Sequence, residues 1–120
     1  QGRAMFVMAE PGKPEAAFTE ENDPIKGQEK IKKNVAKGYL VRTRADEPNR
    51  QNKTNNYSQM NAAFSSGAQV VSTDYYRAAP KHKLYPNMFT DYTCKFPTGE
   101  LARINPISAA DKQNIGKIAE

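Results

Sequence analysis

The stretch Gly38-Tyr39-Leu40-Val41-Arg42-Thr43-Arg44-Ala45-Asp46 decides how the chain is read. It begins with a glycine where a helix C-terminus needs a left-handed residue. A strand follows over 39–46, apolar at its start and polar toward its C-terminal end. Side chains alternate across a strand, so Arg42 and Arg44 fall on one side of it. Two neighbouring guanidiniums in an otherwise apolar strand are costly unless anions meet them.

Working outward, Asp23-Pro24 is a helix start, a capping Asp followed by Pro at the first helical position. A helix to Lys37 follows, with Ile25, Ile31 and Val35 as a narrow apolar stripe between lysines. Downstream, 47–56 reads as a polar loop. Tyr57, Met60, Ala63 and Phe64 then repeat at helical spacing over 57–66, and Gly67 ends that helix. Residues 68–74 form a strand that also turns polar, at Asp74-Tyr75. Upstream, 3–9 is an apolar run suited to a buried parallel strand ending at Glu10, and 14–21 reads as a short helix begun by Pro14. The order strand, helix, strand, helix, strand predicts parallel βαβ units.

The remainder differs in character. Residues 76–89 are irregular and basic. Residues 91–96 and 100–104 suit two hairpin strands around Pro97-Thr98-Gly99, and 109–119 a weak helix.

Composition narrows the function classes. The 120 residues carry 18 Lys plus Arg against 13 Asp plus Glu, a net charge of +5, with mean hydropathy −0.84. No apolar run is long enough for a transmembrane helix. No basic and apolar leader follows Gln1, which leaves the compartment open. The positive charge is spread without a run of five, which argues against nucleic acid as a partner. A single cysteine, Cys94, excludes an internal disulfide, and a single histidine, His82, excludes His-pair chemistry within these residues. Cys94 reads as a small buried apolar residue and His82 as an exposed one. No glycine-rich phosphate loop, nucleophile elbow or zinc helix is present.

The candidate site lies at the strand ends, because the carboxyl ends of parallel strands form the working face of α/β folds. Arg42 and Arg44 could clamp a phosphate, or serve as structural ion pairs with Asp46 and Asp74. Asp74 and Tyr75 could meet sugar hydroxyls, or Asp74 could cap a turn. Glu10 could bind a hydroxyl or a metal, or be an exposed strand terminus.

Residues 38–46, the Ala-Ala-Phe-Ser-Ser-Gly-Ala-Gln stretch at 62–69, and Val71-Ser72-Thr73-Asp74-Tyr75 resemble the last two βα units of the calcium-dependent phosphoinositide phospholipase C-like family. The Ser-Thr-Asp-Tyr strand end also resembles glycerophosphodiester phosphodiesterases. The likeness spans about 3–76 and continues into 91–106 through Phe96-Pro97-Thr98-Gly99 and Ala102-Arg103-Ile104-Asn105-Pro106. It implies an α/β fold: the C-terminal portion of a TIM (β/α)8 barrel of the phospholipase C-like type. Residues 1–76 would be its last βα units and 77–120 an extension carrying the hairpin. Such a barrel needs eight strands and about 250 residues. The resemblance places the acid–base histidines and the Ca2+ ligands in the N-terminal half, which would be this chain's partner. It makes Arg42 and Arg44 phosphate or inositol contacts, Asp46 their orienting group, and Asp74 and Tyr75 contacts to the phospholipid headgroup. It further implies an extracytoplasmic location. The other readings are a glycerophosphodiester phosphodiesterase and a non-catalytic barrel that binds sugars or lipid headgroups.

Overall fold

A computed structural model describes residues 9–48, 50–100 and 102–108. Three strands form one parallel sheet: β1 (Phe18–Glu20), β2 (Leu40–Arg44) and β3 (Val70–Ser72). The helices are α1 (Gln28–Ala36), the single turn α2 (Gln51–Thr54) and α3 (Ser58–Ser65).

The predicted β-α-β-α-β order holds, with one strand misplaced. Among the described residues the first strand is Phe18–Glu20, inside the segment expected to be helical over 14–21. Phe18 and Thr19 have β propensity, and the segment pairs with β2 in the register Phe18↔Leu40, Thr19↔Val41, Glu20↔Arg42. Pairing along β2 outweighs the weak local helix signal. The apolar run expected as a strand at 3–9 lies almost wholly outside the described residues, as does the helix expected at 109–119.

Around β2 the local expectations hold closely. The Asp23 carboxylate accepts from the N–H of Ile25 and of Lys26 at 3.1 and 3.0 Å, capping a turn that leads into α1. Ile31 and Val35 are buried against Val41, whereas Ile25 is 56% exposed and outside the stripe. At the other end of α1, Gly38 takes φ +90°, with Gly38 N–H donating to Val35 C=O and Tyr39 N–H to Asn34 C=O. These two bonds make a Schellman cap, which turns the chain directly into β2. The 47–56 loop contains α2, and α3 ends at Gly67, with φ +81°, as expected.

No strand forms at 91–96 or at 102–104, so the hairpin is absent among the described residues. Only its turn is present, closed by Gly99 N–H donating to Phe96 C=O. The segment is spent on packing instead. Phe96 meets Phe64, Tyr92 is fully buried, and Ile107 packs on the α1–β2 core.

The registers Thr19↔Val41 and Thr43↔Val71 define one face of the sheet; Glu20↔Arg42↔Val70 and Arg44↔Ser72 define the other. The sheet order follows the sequence, and right-handed crossovers that advance in one direction put their helices on one face. Val41 packs on α1 accordingly. Phe18, Leu40, Arg42 and Arg44 on the opposite face stay partly open, and Val70 is 40% exposed.

Candidate functional site

The open face and the C-terminal strand ends hold a cluster of opposite charges. Arg42 Nη1 donates to Glu20 Oε2 at 2.7 Å, directly across the β1–β2 register. Glu20 also accepts from the Asn22 amide. Arg44 Nη2 donates to Asp74 Oδ2 at 2.9 Å, and its Nε lies 3.1 Å from Glu47 Oε2. Each arginine therefore bridges β2 to an opposite neighbour, Arg42 toward β1 and Arg44 toward the end of β3.

Asp46 sits behind this row and is fully buried. Its Oδ1 accepts from Asp74 N–H at 3.2 Å and its Oδ2 from the Thr73 hydroxyl. Arg44 Nη2 is 4.0 Å from Asp46, so the carboxylate mainly fixes the β3 end and reaches the guanidinium only loosely. The Gln59 amide on α3 donates to Arg44 C=O at 3.2 Å and accepts from the Gln51 amide at 2.8 Å, which links both helices after β2 to the strand end.

Tyr75 turns inward. Its ring meets Tyr92 edge-on at 5.7 Å, and Tyr92 stacks on Tyr57 at 4.8 Å. Burial first, then the charges of Asp46 and Asp74, push the Tyr75 hydroxyl above its ordinary pKa, while the Asn52 amide beside it pulls the other way. Burial raises Tyr92 further. Cys94 is half-buried, and its thiol is pushed up by burial, an inert setting for a nucleophile. His82 is exposed in the basic loop, stacked on Tyr85.

Of the residues singled out in the sequence, Arg42, Arg44, Asp46 and Asp74 come together, and Tyr75 adjoins them from below. Glu10 is exposed at a turn, lining a hollow that it shares with Glu20, Glu21 and Lys30. Two members of the cluster carry little signal in the sequence. Glu20 falls in the stretch expected to be helical, and only the Phe-Thr-Glu alternation marks its strand. Glu47 stands in the polar loop with nothing to distinguish it.

Two guanidiniums are thus surrounded by four carboxylates, those of Glu20, Asp46, Glu47 and Asp74. A bare anion would meet excess negative charge here. A polyhydroxylated ligand carrying one phosphate fits better, since its hydroxyls can donate to Glu20 and Asp74. Among the described residues Arg42 has Glu20 as its one partner, which leaves most of its five donors free. Arg44 is held on two sides.

A sequence model of the family described as phosphoinositide phospholipase C, Ca2+-dependent, matches residues 1–106. The chain belongs to that family. No curated protein and no solved structure matches it. The Ca2+-dependent phosphoinositide phospholipase C family brings calcium with its description. Among the described residues, however, no group of three His, Cys, Asp or Glu side chains is arranged to hold a metal. Glu20, Glu47 and Asp74 face guanidiniums, and both Asp46 oxygens accept protein hydrogen bonds, so this cluster does not fit a calcium ion. Also among the described residues, no helix is long and apolar enough to cross a membrane.

Proposed function

We propose that this chain forms the C-terminal part of a phospholipase C-like (β/α)8 barrel, and that its charge cluster holds the phosphoinositol headgroup of a phosphodiester substrate. The observation that carries the reading is the row Glu20–Arg42 and Arg44–Asp74 on the open face of a parallel sheet. Parallel sheets are covered on both faces. Here the helices belong to one face, so the other calls for further strands that close over it, and in a barrel that face lines the interior. The arginines would then sit inside the barrel near the carboxyl ends of its strands, where substrates bind.

Within this reading the roles divide. Arg42, with donors to spare, contacts a phosphoryl oxygen and stabilises the charge that grows there. Glu20 and Asp74 accept from ring hydroxyls. Arg44 is a positioning residue that holds Asp74 and Glu47. Asp46 and Tyr75 set the strand-end geometry from behind, and Glu10 stands at the rim. Proton transfer to and from the substrate falls to histidines contributed by the rest of the barrel, and calcium to ligands outside the described residues.

The test is phosphodiester cleavage by the complete enzyme. Arg42→Ala is expected to lower kcat/KM on a phosphoinositide by at least roughly 100-fold, the range for losing one donor to a developing oxyanion. Arg42→Lys is expected to restore little, because the planar fork is lost. Full activity in Arg42→Ala overturns the assignment. Cleavage of deacylated glycerophosphodiesters in preference to inositol phospholipids would move the substrate to the glycerophosphodiester class.

A further inference from the structure

We propose that the hollow at the end of β1 is a binding site for an amino sugar, held by its primary ammonium. For the substrate that carries the sugar, the inference rests on the reading of the neighbouring cluster as a headgroup site. The two adjoin, because Glu20 lines the hollow and also accepts from Arg42 Nη1 at 2.7 Å. The hollow measures about 570 Å³ and opens between the turn at Ala9–Pro11, the segment Thr19–Asn22, and Lys30 and Asn34 on α1. That volume is within the range of small-molecule sites and exceeds what a lone ammonium needs. Glu20 ends β1 and Glu21 and Asn22 follow it, so the hollow stands at the carboxyl end of the sheet.

The residue that marks a guest is Thr19. It is 4% exposed, it lines the hollow, and its hydroxyl has no hydrogen-bond partner among the described residues. Buried polar side chains nearly always have a partner, so a buried hydroxyl that faces a hollow without one calls for a ligand there. Asn22 repeats the pattern. Its amide nitrogen donates to Glu20, while its Oδ1 is buried without a donor among the described residues. Asn34, also buried, lines the hollow from α1.

The charges decide the kind of guest. Among the described residues Glu10, Glu20 and Glu21 line the hollow against one cation, Lys30. Lys30 Nζ donates to Glu21 Oε2 at 2.8 Å and Arg42 takes Glu20, which leaves Glu10 without an ion pair among the described residues. A phosphate meets three carboxylates here and is repelled. A metal ion is not favoured either, since no three His, Cys, Asp or Glu side chains among the described residues are arranged to hold one. A neutral hydroxyl satisfies Thr19 but leaves Glu10 unpaired. A primary ammonium has three donors and no acceptor, one donor each for Glu10, Asn22 Oδ1 and Thr19 Oγ1. The remaining room and the Asn34 amide suit the hydroxyls of a sugar ring.

The experiment titrates the complete protein calorimetrically with glucosamine, glucose and N-acetylglucosamine, at a pH where the amine is protonated. Glucosamine is expected to bind, and the two neutral sugars at least roughly 10-fold more weakly, for loss of a charge-assisted hydrogen bond. Glu10→Gln is expected to weaken glucosamine binding by about 10-fold for the same reason. Thr19→Val is expected to weaken it by about fivefold and to leave Tm unchanged or raised, because no hydrogen bond within the protein is lost and Val favours a strand. A fall in Tm on Thr19→Val would give the hydroxyl a structural partner and overturn the site. Absence of binding, equal binding of the three sugars, or binding unaltered in both variants also overturns it. A second arm compares kcat/KM on an inositol phospholipid with and without glucosamine joined to its ring. The substituted lipid is expected to be cleaved about 10-fold better. Glucosamine binding without that preference keeps the site and assigns it to the free amino sugar. Glucosamine binding by a protein that cleaves no phosphodiester keeps the site and removes the headgroup reading. Cleavage of the plain lipid with no glucosamine binding does the reverse.

Discussion

The buried carboxylate of Asp46 accepts a hydrogen bond from the backbone N–H of Asp74 at 3.2 Å, across from the end of β2 to the end of β3. The Thr73 hydroxyl donates to the other oxygen of Asp46 and accepts in turn from Tyr75 N–H at 2.9 Å. Asp74 is thereby held where Arg44 meets it. One side chain without solvent contact thus fixes the acid that accepts from Arg44 Nη2 at 2.9 Å.

Removing that carboxylate leaves the half-buried Thr73 hydroxyl and the Asp74 backbone N–H without their acceptor. Asp46→Ala is expected to cost about 3 kcal/mol, the range for losing hydrogen bonds to a charged group in the interior. Asp46→Asn keeps one acceptor oxygen and is expected to cost less. Urea denaturation of the complete protein checks both. Equal stability of Asp46→Ala and wild type would show that the strand ends are tied by other means.

Gly38 and Gly67 both take positive φ, but their surroundings differ. A Cβ at Gly38 meets nothing within 4 Å, so Gly38→Ala carries only the left-handed backbone cost of about 1 kcal/mol. A Cβ at Gly67 runs into the Ile107 side chain. Gly67→Ala is therefore expected to cost about 1–3 kcal/mol more, from overpacking. Thermal denaturation of the two variants side by side gives the ranking. The reverse order would mean that Ile107 does not rest on Gly67.

Tyr92 makes stability depend on alkaline pH. Its folded pKa is raised by burial above the value in the unfolded chain. A group of this kind stabilises fully below its unfolded pKa, and that contribution is lost as pH rises toward the folded value. The urea midpoint is expected to fall above about pH 10. Tyr92→Phe is expected to flatten that fall, with Tyr75 supplying a smaller residue of it. At neutral pH it should cost only about 1 kcal/mol, for the hydrogen bond to Ala45 C=O. An unchanged alkaline slope in Tyr92→Phe would assign the effect elsewhere.

Local chemistry made most of the framework legible. The Gly38 cap, the β2 strand, α3 with its Gly67 stop and the parallel order all follow from spacing, φ preference and period, which act within a few residues. The same alternation put Arg42 and Arg44 on one side of β2. What local chemistry left open was the partners. Phe18–Glu20 is a strand because β2 lies beside it, and that contact is invisible over 14–21 read alone. Glu20 and Glu47 lie 22 and 3 residues from the arginines they face. Nothing short-range announces Glu20, and Glu47 is indistinguishable from any other loop acid. For 91–96 the turn was right and the strands were not, because Tyr92 and Phe96 gain more by packing on Tyr57 and Phe64 than by pairing.

The sequence by itself determined the βα alternation, the polar strand ends and the family, since these rest on residue type and spacing. Tertiary structure alone decided which charges meet. Ion pairs depend on distance in space, and parallel pairing brings together residues that are far apart along the chain. It also made Asp46, 4.0 Å from the Arg44 guanidinium, the buried tie between two strands. Among the described residues it left one face of the sheet without a helical cover, because both crossovers place their helices on the other.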